Sequence, residues 1–257
     1  MMSASPCHIP VIIAAAPHTL HSPLFTSPTL CFNSPIIHKE NIMHLYLIRH
    51  GQSYVNIPEW EAPTRAELDA GLTDLGHKQA AAVAQWLVDY NLQVNVIYAS
   101  TMRRARETAG AIAAATQKEI TWHDYLREIG NNRNNHTPYP NDALPTLYRP
   151  FATPFTSLVE NETDGETWYH ARGRAGLFLQ HLLDHHRDQT IIAVAHGGII
   201  SAIFDNICNV PLWRQCNLWL ANTSITYFEY VDRPHPQETW RLHFLGRTEH
   251  FQSVYEK

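Results

Sequence analysis

Ile191-Ile192-Ala193-Val194-Ala195, running directly into His196-Gly197-Gly198, is the stretch whose reading decides the fold. A strand with one wet face would alternate apolar and polar side chains. An uninterrupted apolar run fits a strand buried on both sheet faces, which is typical of parallel sheets. The neighbouring segments agree. Glu166 to His186 reads as a helix before the run and Ile199 to Cys208 as one after it. Further out, His44 to Ile48 is a short apolar strand. Thr73 to Tyr90 is an amphipathic helix, with Thr73 as N-cap and Leu75, Ala80, Val83, Ala84, Leu87 and Val88 on one side. Val94 to Ala99 and Ile120 to Trp122 read as strands flanking an Ala- and Arg-rich helix over Thr101 to Thr116. Ser224 to Tyr230 and Trp240 to Leu245 are late strands. This alternation implies an α/β fold, a three-layer αβα sandwich with a central, mostly parallel sheet.

The chain has 257 residues, 44% of them hydrophobic, enough for a sizeable core. Its formal net charge of -5 gives no general attraction to nucleic acid or anionic membrane, so an anion site must come from a local basic cluster. Cys7, Cys31, Cys208 and Cys216 lack paired spacing and disulfide density, which points to a reducing, cytoplasmic location. His181 and His185 have the i,i+4 spacing of two metal ligands, but they sit in a polar run with His186, Arg187 and Asp188. A solvated helix end explains them better, and no metal is expected.

Residues 1–42 hold six prolines, no glycine, no arginine, and only Lys39 and Glu40 as charges. They are expected to be a disordered or artefactual extension, with Met43 as a natural start and the folded domain over 43–257. The apolar stretch from Ile9 to Ala16 is too short to span a bilayer, which takes about 20 residues. A second irregular region, 131–165, interleaves Pro138, Pro140, Pro145, Pro150 and Pro154 with Tyr139, Tyr148, Phe151 and Phe155. It reads as a loop-rich lid insertion; a surface excursion packed by its own aromatics is the alternative.

Arg49-His50-Gly51 leaves the first strand and continues as Gln52-Ser53-Tyr54-Val55-Asn56. At the carboxyl edge of a sheet, such a triplet suggests an anion site. A buried structural histidine beside a salt-bridged arginine would look the same. Three further segments separate the two readings: Leu72-Thr73-Asp74-Leu75-Gly76-His77-Lys78-Gln79-Ala80, the run from Tyr98 through Ser100 and Arg104 to Ala109, and Ala195-His196-Gly197-Gly198. In order and spacing, across about 200 residues, they resemble the LTxxGxxQA, YxSxxxRAxxTA and second-histidine motifs of the histidine phosphatase (phosphoglycerate mutase-like) superfamily. Gly165-Glu166-Thr167 with Arg174, and Asn222-Thr223-Ser224, agree more weakly; a buried helix salt bridge would equally explain Arg174.

The resemblance implies phosphomonoester hydrolysis through a phosphohistidine on His50, with no cofactor and no metal. Glu128, in Leu126-Arg127-Glu128-Ile129-Gly130, matches the LREIG element whose glutamate is the proton donor in many members. The charges suit the task, because phosphoryl transfer is mostly positioning and electrostatic stabilisation. Arg49 and Arg104 offer planar donor forks, His196 a ring donor, the helix start after Gly197 free amides, and Ser53 and Asn56 neutral hydrogen bonds. Arg103 and Arg106 read as surface partners of Glu107 or Asp124, and the seven tryptophans as core or lid packing. Asn131-Asn132-Arg133-Asn134-Asn135 departs from the acidic GxWEG stretch of many phosphatase members. Residues 57–71 lack the FTGW stretch of mutases. A phosphatase acting on a small phosphorylated metabolite is therefore favoured over a phosphoglycerate mutase or an inactive phosphate-binding module.

Overall fold

The computed structural model describes residues 41–60, 69–129, 166, 168–211, 217–232 and 239–251. The expected extension up to residue 40 and the proposed lid insertion at 131–165 lie outside them.

β1 (Ile42–Arg49) is flanked by β4 (Thr190–Ala195) on one side and β5 (Ile225–Val231) on the other, and β2 (Val96–Ala99), β3 (Ile120–Trp122) and β6 (Trp240–Arg247) complete the sheet. The order is β3-β2-β4-β1-β5-β6. β1 to β4 are parallel, while β5 runs antiparallel to both β1 and β6, so five of the six strands share a direction. The reversal of β5 follows from where it starts. Arg49 donates its backbone N–H to the Ser224 carbonyl and Thr223 donates to that of His50, so β5 begins beside the end of β1 and can only run back down.

β1 begins at Ile42, and Met43 is fully buried, so the folded region extends to at least that residue. The two-residue period of the strands sorts the core into two layers. Met43, Leu45, Leu47, Ile191, Ala193 and Ala195 face one side; Tyr46, Ile48, Ile192 and Val194 face the other. α1 (Asp74–Asp89) and α2 (Arg103–Thr116) cover the second side through Val83, Ala84, Leu87, Ala105, Ala109 and Ile112. α3 (Trp168–His185) and α4 (Gly197–Ile207) cover the first, α3 presenting Ala171, Ala175, Phe178, Leu179 and Leu182 at helical spacing. The sandwich is thus three-layered. Burying a side chain such as Phe178 contributes about 1.5–3 kcal/mol.

Helix starts follow the local chemistry. The Thr73 hydroxyl oxygen accepts from Gly76 N at 3.0 Å while its proton goes to Gln52 Oε1 at 2.8 Å, so one side chain caps α1 and ties it to the loop after β1. The Arg103 amide at the start of α2 is capped from a distance by Asp69 Oδ1 at 2.8 Å. The site is placed by topology. β1 and β4 are neighbours, yet the next helix after β1 lies on one face and the one after β4 on the other. That opens a crevice at their carboxyl ends, where ligands of open α/β sheets bind. Among the described residues no helix is long and apolar enough to cross a membrane.

Candidate active site

His50 occupies the end of β1 and is almost fully buried. Its Nδ1 lies 2.7 Å from the Gly51 carbonyl oxygen, which can only accept, so the ring proton sits there and the Nε2 lone pair is exposed to the crevice. Arg104 Nε donates to that nitrogen at 3.1 Å. Burial first, then the charges of Arg104 and Arg49, hold the imidazole well below its ordinary pKa of 6.5, against a smaller upward push from the Gly51 carbonyl. The ring is therefore neutral and nucleophilic at neutral pH.

The loop carrying it is locked by close backbone approach. An ideal Cβ on Gly76 would overlap the Gln52 carbonyl oxygen, and one on Gly51 would lie 2.6 Å from the Gly76 oxygen. Only glycine at both places lets α1 and the loop pass this closely. Gln79 Oε1 accepts from Gln52 N at 2.7 Å and Thr108 Oγ1 from Gly51 N at 3.0 Å. On the other side Asn222 Nδ2 donates to the His50 carbonyl at 3.1 Å.

His196, at the end of β4, is fully buried with its ring centroid 5.0 Å from that of His50. Its Nε2 is 2.8 Å from Ser100 Oγ. That hydroxyl also accepts from Met102 N at 3.3 Å, and with two lone pairs and one proton it can pair with either tautomer of the His196 ring. Nδ1 is buried with no hydrogen-bond partner, as is Arg49 Nε. Burial, then Arg104, His50, Arg174 and Arg127, keep His196 well below its usual pKa. An unmet Arg49 donor and an unpartnered His196 nitrogen thus flank the side of the crevice that His50 Nε2 faces.

Arg49 is anchored through the Leu220 carbonyl, and a Cβ on Gly197 would lie 3.7 Å from its Nε, so the guanidinium rests over the first turn of α4. Glu128 lies at the same turn. Its Oε2 accepts from Gly198 N at 3.3 Å and its Oε1 from Ile129 N at 2.9 Å, and its charge opposes the lowering by burial of both Arg49 and Arg104. His50, Arg49, Arg104, His196, Gly197 and Glu128 are thereby brought to one crevice. Ser53 and Asn56 come near it but engage each other. Asn56 Oδ1 accepts from Ser53 N at 3.1 Å, Ser53 Oγ at 3.2 Å and Asn222 Nδ2 at 3.2 Å, so the Ser53 hydroxyl braces the loop and only the Asn56 NH2 is left to donate elsewhere.

Residues 45–242 match the model of the histidine phosphatase superfamily, branch 1. The chain belongs to this superfamily. Among curated relatives, phosphoglycerate mutase-like protein 4 of Arabidopsis thaliana is 28% identical over 213 residues, covering 82% of this chain and 87% of that one. Among solved structures, YhfR of Bacillus stearothermophilus superposes with a TM-score of 0.60 at 24% identity, covering 82% of this chain and all of that one. A phosphoserine phosphatase of Entamoeba histolytica, solved with phosphoserine, gives a TM-score of 0.57 at 24% identity, covering 81% of this chain and 98% of that one.

Within this histidine phosphatase fold several residues matter that sequence reasoning left unassigned. Ser100 holds the His196 ring, Thr108 pins Gly51, and Asn222 bridges His50 and Asn56. Each was inside a recognised motif, but a hydroxyl or amide gives no signal of its partner until the strands are paired. Elsewhere, Arg103 pairs with Glu107 at 2.8 Å on the surface and Arg106 lies 5.3 Å over the Trp122 ring. Trp122 and Trp219 are exposed, Trp219 by 87%, against the expectation of core or lid packing. Nor are the helix-end histidines simply solvated: His181 and His186 converge on the Tyr98 hydroxyl at 2.9 and 2.8 Å.

Proposed function

We propose that the protein hydrolyses a phosphomonoester through a phosphohistidine on His50, acting on a small phosphorylated metabolite in the cytoplasm without a metal or cofactor. One observation carries the reading: a neutral His50 with its proton held at Nδ1 and its Nε2 lone pair facing a crevice with an unmet donor on Arg49 and an unpartnered nitrogen on His196. His50 Nε2 attacks phosphorus in line as the ester P–O bond breaks, and Arg104 turns from the ring nitrogen to the phosphoryl oxygens. Arg49 Nε and His196 Nδ1 take up the charge spread over the equatorial oxygens. Glu128, a carboxylate in the free site, takes up a proton from solvent as the ester binds and gives it to the leaving alkoxide. The resulting carboxylate then takes a proton from water, whose oxygen attacks phosphorus and releases phosphate from His50.

The mutase-type name of the Arabidopsis relative favours a second reading, in which the phosphoryl group returns to substrate. Hydrolysis of p-nitrophenyl phosphate measured beside 3-phosphoglycerate isomerisation separates the two, with and without bisphosphoglycerate and with a chelator throughout. Chelator-resistant hydrolysis and a labelled phosphoenzyme are expected. Strong isomerisation with negligible hydrolysis would reverse the choice, and no label on the wild type would leave a binding module.

A further inference from the structure

Arg174, near the start of α3, is buried with 2% side-chain exposure, and its partner Glu166 has none. Every direction of the guanidinium is engaged. Nε donates to Glu166 Oε1 at 2.6 Å and Nη2 to Glu166 Oε2 at 2.9 Å, a bidentate pair. Nη1 donates to the carbonyls of Tyr125 and Arg127, both at 2.6 Å, and Nη2 to that of Glu128 at 3.2 Å. All three carbonyls belong to the turn that delivers Glu128. At the other end of the same residue, the Glu128 carboxylate reaches the first turn of α4 through Gly198 N.

A buried ion pair by itself is a poor stabiliser, because desolvation offsets its attraction and apolar replacements often do as well. What no apolar pair can supply is three N–H donors converging on the carbonyls of one turn, those of Tyr125, Arg127 and Glu128. We propose that Arg174 is the positioning residue for proton transfer to the leaving group, fixing the backbone of residues 125–128 so that the Glu128 carboxyl stands beside Arg49 at the α4 N-terminus. Glu166 is its counterpart, orienting the guanidinium and neutralising it. The assignment rests on the hydrolytic reading, with Glu128 as proton donor.

Its signature is selective. An alkoxide cannot leave without a proton, whereas a nitrophenolate can. Misplacing the acid therefore harms alkyl esters and spares activated aryl esters, while a general loosening of the fold harms both. The test compares kcat/KM for glycerol 2-phosphate and p-nitrophenyl phosphate in the full chain, in wild type, Arg174→Lys, Glu166→Gln and Glu128→Gln, with folded fraction checked by thermal melts. Glu128→Gln and Arg174→Lys should lose roughly 100-fold on the alkyl ester but within about 3-fold on the aryl ester, the scale set by general acid catalysis. Glu166→Gln should show the same pattern in milder form and carries the comparison if Arg174→Lys does not fold. Equal losses on both esters, or no loss in either variant of the pair, would overturn the positioning role alone. A wild type that hydrolyses neither ester would overturn the hydrolytic reading and this assignment with it.

Discussion

β1 and β4 lie side by side, point the same way, are largely buried, and each ends in a histidine followed by glycine. The two ends differ in what holds the ring. At β1 the chain itself does so: His50 Nδ1 gives its proton to the next residue's carbonyl, and the lone pair faces Arg104. At β4 the hold comes from another strand's end, where Ser100 engages His196 Nε2 and leaves Nδ1 without a partner. The same residue type, displaced by one strand, thus offers a lone pair in one place and, in the proposed reaction, a hydrogen-bond donor in the other. Second partners, more than the imidazole itself, assign the roles.

The largest effect should come from removing the rings in turn. His50→Asn is expected to abolish phosphoenzyme labelling and lower turnover by at least about 10,000-fold, whereas His196→Asn removes one oxygen-stabilising donor and should lose roughly 100- to 1,000-fold while still labelling slowly. Labelling retained by the first variant, or lost completely by both, would erase the asymmetry. Next come the glycines. Gly76→Ala forces the Gln52 carbonyl away and should destabilise the fold by about 1–3 kcal/mol in urea melts, slowing phosphorylation of His50. Gly198→Ala instead meets Glu128 Oε1 at 2.5 Å and Ile129 Cδ1 at 2.7 Å, so it should impair leaving-group protonation beyond the modest fall in melting that shifting Ile129 brings. Ser100→Ala removes the hydroxyl that holds the His196 ring; a loss of about 1 kcal/mol of stability and a roughly tenfold fall in kcat are expected.

The smallest effect concerns pH. Both active-site histidines are held below 6.5 when folded. Between that value and their folded pKa values the unfolded chain binds protons that the native state refuses. Their contribution to stability is thus full above pH 6.5 and is lost as pH falls below it. Denaturant titrations should show that slope, while kcat/KM should pass through pH 6.5 without the inflection of an ordinary histidine. A clear single-proton step there would contradict neutral rings.

The fold was legible because its decisive strands are apolar on both faces: Ile191 to Ala195 can hardly be anything but a central strand. β5's antiparallel direction was not, since it is set by where the 217–224 loop returns, a property of long-range pairing. In the site, His50, Arg49, Arg104 and His196 stood out because they sit in motifs whose order and spacing resemble those of one family, at or soon after the carboxyl ends of β1, β2 and β4. Ser53, expected as a neutral donor, gives its hydroxyl to Asn56 three residues on, a pairing that the sequence does not show. Arg174 stayed ambiguous between ion pair and site residue, and the structure gives a reason: it forms the ion pair and also grips the turn that bears Glu128.

Arg174 holds Glu128 and Glu166 at once, two residues that stand on either side of 130–165 in the sequence. Chain length between two fixed points changes closure entropy by only about 0.6 kcal/mol per doubling. A change of length between these two points should therefore leave Glu128 in place. Chimeras that exchange residues 130–165, joined at Ile129 and Glu166, would show whether substrate preference follows the exchanged segment while the chemistry stays.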